Sequence, residues 1–214
     1  MAQAPSPSQG EVRPLAQNSL PKITHVVRNK DFRVLDPSRP DNPDYVDVLV
    51  FFWYGSPWSA QVEPELRQWV EEGRAPANVR VQLVPVVLDK DWAFAARIYF
   101  ALDEMRLQYA LTPKLFRAVS NKQVDLKSPL SVKRWLEREG VSPSAFEEAI
   151  NSSRVIARTN GLVSTARSYQ VRSTPTFVLD GRYHIAANEQ MSPARAVAVA
   201  MFMAEQLSKG GPRP

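Results

Sequence analysis

The segment Val46–Trp53, VDVLVFFW, constrains the fold most, because it is almost continuously apolar. Such a run is typical of a strand in the middle of a sheet that is covered on both faces. A helical pattern that begins with Ser56 and Pro57 follows at once and continues to Gly73. Serine is a favoured helix N-cap, and proline suits the first helical turn, so the segment predicts a strand that leads directly into a helix.

The rest of the chain continues this alternation. Residues 79–88 predict a second buried strand, and the order strand, helix, strand implies a right-handed parallel crossover. Residues 91–170 are almost wholly helical in pattern, Asp180-Gly181 indicates a hairpin between two short strands, and residues 191–208 predict a last amphipathic helix. Pro64 is expected to kink the first helix. The predicted class is therefore α/β.

Composition excludes several kinds of function. The chain has 27 basic and 22 acidic residues, interspersed rather than gathered in a stripe, which gives little support for nucleic-acid binding. No apolar run is long enough to span a membrane. With no cysteine and only His25 and His184, disulfides, thiolate chemistry and metal sites are not expected. The first 22 residues show no basic segment followed by an apolar one, so no export signal is predicted there, although a trimmed mature form would also fit.

The order of elements and four local motifs resemble the DsbA family, which has a thioredoxin fold with a helical insertion. The likeness extends over roughly residues 23–208. Its motifs are an FF-containing strand, a four-residue active turn, a Gln-x-Glu step and a Thr-Pro dipeptide, found here at 51–52, 56–59, 61–63 and 174–175. The resemblance implies a thioredoxin-like domain at 23–90 and 163–208 and a helical insertion at 91–162. The composition of residues 1–22 and 209–214 predicts flexible tails.

The active turn departs from the family at the two positions that carry its chemistry. The family has cysteines there, whereas this chain reads Ser56-Pro57-Trp58-Ser59. A serine hydroxyl forms no analogue of a disulfide, so neither step of thiol–disulfide exchange is available. Val50 also replaces the buried acid that the family usually places six residues before the turn. These coordinated differences favour a naturally redox-inactive protein; a cysteine-to-serine form of an oxidoreductase remains the alternative.

Two other interpretations of Ser56 remain open besides a simple N-cap. The turn also resembles that of kappa-class glutathione transferases, and this likeness implies that Ser56 would donate to a glutathione thiolate and Thr174 would pair with the tripeptide backbone. A Ser-His-Asp hydrolase that uses His184 is a poorer candidate, since no G-x-S-x-G elbow exists. Glu63 and Glu65 are expected to be solvated acids of the first helix.

Peptide binding is the function that remains once thiol–disulfide exchange is excluded. The resemblance implies a cis proline at Pro175, beside which the backbone of Thr174 would bind an extended polypeptide as an added strand. Trp58 and Tyr54 are predicted to supply apolar contact. No cofactor is expected. The partner would be an unfolded polypeptide or a specific envelope protein, and the resemblance implies the periplasm of the bacterial cell envelope.

Overall fold

The computed structural model describes residues 20–35 and 44–210 as a five-stranded sheet flanked by seven helices. The strands are β1 (Arg33–Val34), β2 (Val46–Phe52), β3 (Val79–Pro85), β4 (Thr176–Leu179) and β5 (Tyr183–Ala186). The helices are α1 (Pro57–Glu71), α2 (Ala93–Glu104), α3 (Gln108–Ser120), α4 (Pro129–Arg138), α5 (Pro143–Asn151), α6 (Ser153–Ser168) and α7 (Pro193–Ser208). A short 3₁₀ turn, Lys90–Trp92, precedes α2.

The sheet has the order β1-β5-β4-β2-β3, with β2 at its interior. β2 pairs in parallel with β3 and antiparallel with β4, so α1 is the crossover between two parallel strands. The β4–β5 hairpin closes through Asp180 and Gly181, both with positive φ of 50° and 67°. The Arg182 amide donates to the Leu179 carbonyl at 2.9 Å, so Asp180 and Gly181 are the central residues of a β-turn, and the Asp-Gly hairpin prediction is confirmed.

The apolar run of β2 is buried on both faces of the sheet, as predicted. Val48 and Val50, each 1% exposed, belong to a core with residues of α1 and α7. Phe51, which is 0% exposed, lies in a second cluster with Val178 and residues beyond the end of β3. β2 therefore carries apolar side chains into two cores at once, which fixes where its carboxyl end can lie.

Helices α2–α6 form a third core, which meets the sheet at the end of β2. Phe52 enters this core and packs against Tyr99 and Phe116, with ring centroids 5.3 and 5.5 Å apart. The next residue, Trp53, stacks in parallel on Trp92 with a centroid distance of 4.2 Å. The helical insertion is thus joined to the sheet by aromatic contacts immediately before the active turn. The boundary proposed between 162 and 163 falls within α6.

Several boundaries differ from the sequence-based expectation by a few residues. β3 ends at Pro85 rather than 88, because its partner β2 ends at Phe52. α1 ends at Glu71, and Gly73 takes a left-handed φ of 66° just beyond it, which glycine adopts without steric cost. Pro64 lies inside α1. Residues 1–19 and 211–214 of the predicted tails lie outside the described part of the chain, whereas Leu20 packs against the core beside α7.

No helix between 20 and 35 or between 44 and 210 is long and apolar enough to cross a bilayer.

Candidate functional site

The candidate site lies at the connection between the end of β2 and the start of α1, at residues 53–56. Ser56 is the N-cap of α1, and its Oγ accepts a hydrogen bond from the amide of Ser59 at 3.2 Å. The same hydroxyl donates to the backbone carbonyl of Thr174 at 3.2 Å, across 118 positions of sequence. Ser56 is 7% exposed, so it links the start of the helix to the segment before β4 from a buried position.

Serine followed by proline begins four of the seven helices, namely α1, α4, α5 and α7. In each of them the serine side chain caps an amide three residues on. At α7, for example, Ser192 accepts from the amide of Arg195 at 3.3 Å. Capping is therefore the common role of this dipeptide in the chain. The distinctive feature of Ser56 is its additional bond to Thr174.

Ser59 occupies the second position that carries sulfur in the family. Its side chain is 1% exposed, and its Oγ has no hydrogen-bond partner within the described parts of the chain. A buried hydroxyl without a partner costs about 1–3 kcal/mol relative to an apolar group of the same shape. Val50 is also buried, at 1% exposure. The two positions therefore supply neither a thiol nor an ionisable group.

The Thr174–Pro175 segment forms the other side of the site. Their peptide bond is cis. The Thr174 carbonyl is not free, because it accepts from Ser56, whereas the Thr174 amide donates to no acceptor among residues 20–35 and 44–210. Pro175 already accepts from the Ala187 amide at 3.1 Å. The Thr174 amide is thus available as a backbone donor beside the turn.

The two aromatic residues predicted for the surface have different environments. Trp58 is partly exposed and packs with its buried part against the core beneath α7. Tyr54 is 1% exposed, and its hydroxyl bonds to Thr112 at 2.9 Å, so it offers no contact surface. The expectation that Tyr54 binds peptide is corrected on this ground. The Trp53 indole lies over Gly55 so closely that a side chain at Gly55 would collide with it.

Glu63 and Glu65 were expected to be solvated, and this was wrong: they are 6% and 4% exposed. Helical periodicity alone did not show that α1 is packed between α7 and α3 of the insertion. Burial raises the pKa of Glu63, and the Arg67 guanidinium, 3.1 Å away, opposes that rise. Burial likewise raises the pKa of Glu65.

His184 lies on β5, is 3% exposed, and has its Nδ1 3.4 Å from a guanidinium nitrogen of Arg33. Burial, with a further contribution from Arg33, lowers its pKa to about 4. It is therefore neutral at physiological pH and packed within the sheet. Among the described residues no group of three His, Asp or Glu side chains is arranged to hold a metal ion.

The geometry does not favour the glutathione alternative. A serine hydroxyl has one proton, and that of Ser56 is directed at the Thr174 carbonyl. To bind a thiolate, Ser56 would have to break this buried bond. The arrangement holds two backbone segments together rather than presenting a donor to a ligand.

Comparison with known proteins agrees with this geometry. The family model of the DSBA-like thioredoxin domain matches residues 47–199. The thiol:disulfide interchange protein DsbA of Burkholderia cepacia is 28% identical over 156 residues, which cover 72% of this chain and 73% of that protein. The corresponding protein of Azotobacter vinelandii is 26% identical over 164 residues, covering 77% and 76%. The crystal structure of Pseudomonas aeruginosa DsbA has a TM-score of 0.75 at 23% identity, covering 86% of this chain and 96% of that one. That of Xylella fastidiosa oxidoreductase DsbA has a TM-score of 0.72 at 23% identity, covering 89% and 99%.

Proposed function

Because this chain belongs to the family of DSBA-like thioredoxin domains, yet holds two hydroxyls at its active turn, we propose that it is a redox-inactive member that binds extended polypeptide. Thiol–disulfide exchange begins with attack by a thiolate, and this turn has no sulfur at either position. Relatives named thiol:disulfide interchange proteins have the same fold. This protein would use the corresponding site to bind polypeptide without catalysing thiol–disulfide exchange. The role is chaperone-like or that of a scaffold for a specific envelope protein, and the expected location is the periplasm.

The free amide of Thr174 is the observation that carries this proposal. It lies beside the Ser56 hydroxyl, which holds the neighbouring carbonyl in place through the 3.2 Å bond. An extended chain could accept from this amide with a carbonyl of its own, in the manner of a strand that adds to a sheet. Trp58, two residues after Ser56 at the start of α1, supplies an adjacent apolar surface that is partly exposed. Ser56 thereby has a structural role, as the cap of α1 and as the link to Thr174.

A titration of ¹⁵N-labelled protein with reduced, carboxymethylated α-lactalbumin tests the proposal. This probe is an unfolded polypeptide with no reactive thiol, so any binding is independent of redox chemistry. We expect shifts of the Trp58 indole N–H and of the Thr174 amide, and weaker binding by Trp58→Ala. The matched control is Leu130→Ala, which removes an apolar side chain that is 57% exposed on α4. Unchanged resonances at both positions, or equal affinity of the Trp58→Ala and wild-type proteins, would refute the proposal.

A further inference from the structure

β3 is the terminal strand of the sheet, and the pattern of its hydrogen bonds shows which of its groups face outward. The carbonyl of Asn78 accepts from Val46, and the amide of Val86 donates to the carbonyl of Phe52. In a parallel pair, alternate residues of one strand bond to the partner, so with this register the even-numbered residues of β3 face β2. The amides and carbonyls of Val81 and Leu83 therefore point away from the sheet.

These outward groups are unpaired in the described part of the molecule. Neither Val81 nor Leu83 has a hydrogen bond to a group among residues 20–35 or 44–210 outside the strand ladder. An open strand edge of this kind is a template for another extended chain unless it is covered. The side chains of Arg80 and Gln82 are exposed, and they are the polar groups that β3 itself presents to solvent.

A cavity of about 560 Å³ lies against this edge. Four consecutive residues of β3, at 81–84, line it. Successive side chains of a strand point to opposite faces, so four neighbours can line one cavity only if the backbone edge itself forms part of its wall. Four residues of extended chain span roughly 13 Å at the usual rise of a strand. The cavity is thus a groove parallel to the open edge.

Helices border the groove on both sides. α1 contributes one helical face, at Glu63, Leu66, Arg67 and Val70, and α6 contributes another that includes Leu162. Helix spacing of three and four residues places each set along one side of its helix. The recessed edge therefore has room for a single extended chain rather than for the edge of a second folded sheet.

The lining combines apolar and polar side chains, and its charges are balanced. Its four charged side chains form two ion pairs, Arg67 with Glu63 at 3.1 Å and Arg158 with Asp103 at 2.6 Å. The amide oxygen of Gln108 is buried in the same lining and accepts no hydrogen bond within the described residues. An uncharged occupant would leave the two ion pairs intact, and its backbone amides could donate to the Gln108 oxygen. A charged side chain that entered the groove would instead compete with one of the ion pairs.

We propose that the groove along β3 binds an uncharged, extended peptide segment, which adds to the sheet as a sixth strand by pairing with Val81 and Leu83. The occupant presents amides and carbonyls at the spacing of a strand, and small apolar side chains toward Leu66 and Leu162. This site is separate from the turn, because neither Ser56 nor Trp58 nor Thr174 lines the cavity.

Amide hydrogen exchange measured with a defined peptide tests this site. The probe is acetyl-Thr-Val-Thr-Val-Thr-Val-amide, which is uncharged, and its fully N-methylated form, which offers no backbone donor, is the control probe. At saturation we expect exchange at Val81 and Leu83 to slow roughly tenfold or more, since their amides become bonded in a ladder. Exchange at Arg80 and Gln82, whose amides already face β2, should change far less. The N-methylated peptide should have no effect.

Two valines of similar exposure provide matched variants. Val70 is 44% exposed on the groove, and Val163 is 49% exposed on α6 outside the lining. Val70→Glu should weaken peptide binding roughly tenfold because it brings a charge into an apolar contact, and Val163→Glu should leave it unchanged. The Trp58→Ala variant should retain the slowed exchange at β3, which separates this site from the one proposed at the turn.

Three results would overturn the proposal. One is peptide binding without slower exchange at Val81 and Leu83. Another is equal loss of affinity in Val70→Glu and Val163→Glu. The third is slower exchange that appears with rising protein concentration alone, since this would show that a second copy of the chain covers the edge.

Discussion

The two serines of the active turn should have opposite effects on stability when each is replaced by alanine. Ser56→Ala removes an N-cap, worth about 1 kcal/mol, and a buried hydroxyl-to-carbonyl bond worth about 1 kcal/mol more. Ser59→Ala removes a buried hydroxyl that has no partner in the described structure, so it should stabilise the fold by about 1 kcal/mol. The expected difference between the variants is about 3 kcal/mol.

Urea unfolding followed by far-UV circular dichroism measures both effects, because an altered midpoint at constant m reports stability directly. In a chain of this size, about 1 kcal/mol corresponds to roughly 2–4 °C in Tm. The control is Ser192→Ala, which removes an exposed Ser-Pro cap that has no bond to a distant segment of the described chain. It should cost about 1 kcal/mol, half the loss expected for Ser56→Ala.

Destabilisation by Ser59→Ala would refute the reasoning, because it would mean that the hydroxyl has a partner. Equal losses in Ser56→Ala and Ser192→Ala would show that the bond to Thr174 contributes nothing.

Three further measurements test other parts of the structure. His184 has a reference pKa of 6.5 and a folded-state pKa of about 4, so the unfolded chain takes up the extra proton as the pH falls. This difference should lower the free energy of unfolding by roughly 3 kcal/mol between pH 7 and pH 4. Urea midpoints of His184→Gln should fall less over the same pH range. Tyr54→Phe leaves the buried Thr112 hydroxyl without its 2.9 Å partner and should lower the unfolding free energy by about 1–3 kcal/mol, whereas an unchanged midpoint would contradict that bond. The wild type should reduce insulin no faster than buffer; the Ser56→Cys/Ser59→Cys variant should form a disulfide on oxidation, as shown by thiol titration, and reduce insulin measurably.

The scaffold could be predicted from the sequence because local patterns specify it. The continuous apolar run of β2 requires cover on both faces, the Ser-Pro pairs begin helices, and Asp180-Gly181 forms a hairpin turn. Each of these signals depends on residues that are close together in the sequence, so it can be recognised in a single sequence. The DsbA resemblance then predicted how the elements are arranged in three dimensions.

The site was less predictable, because burial depends on elements that are distant in the sequence. Tyr54 is enclosed by the helical insertion, with its hydroxyl on Thr112 58 positions later. Glu63 lies on the helical face that borders the groove of β3, which no pattern in α1 alone reveals. The bond from Ser56 to Thr174 likewise depends on tertiary geometry, and so does the free edge of β3.

The parallel indoles of Trp53 and Trp92 give the molecule a built-in optical reporter. Two indoles stacked in parallel planes 4.2 Å apart couple electronically, so their near-UV absorption and circular dichroism should differ from those of separated tryptophans. That signal exists only while the end of β2 and the start of the insertion stay in register. Binding of a partner that separates the two indoles would therefore change this signal without any label. The change would be seen even while the helices of the protein remain folded.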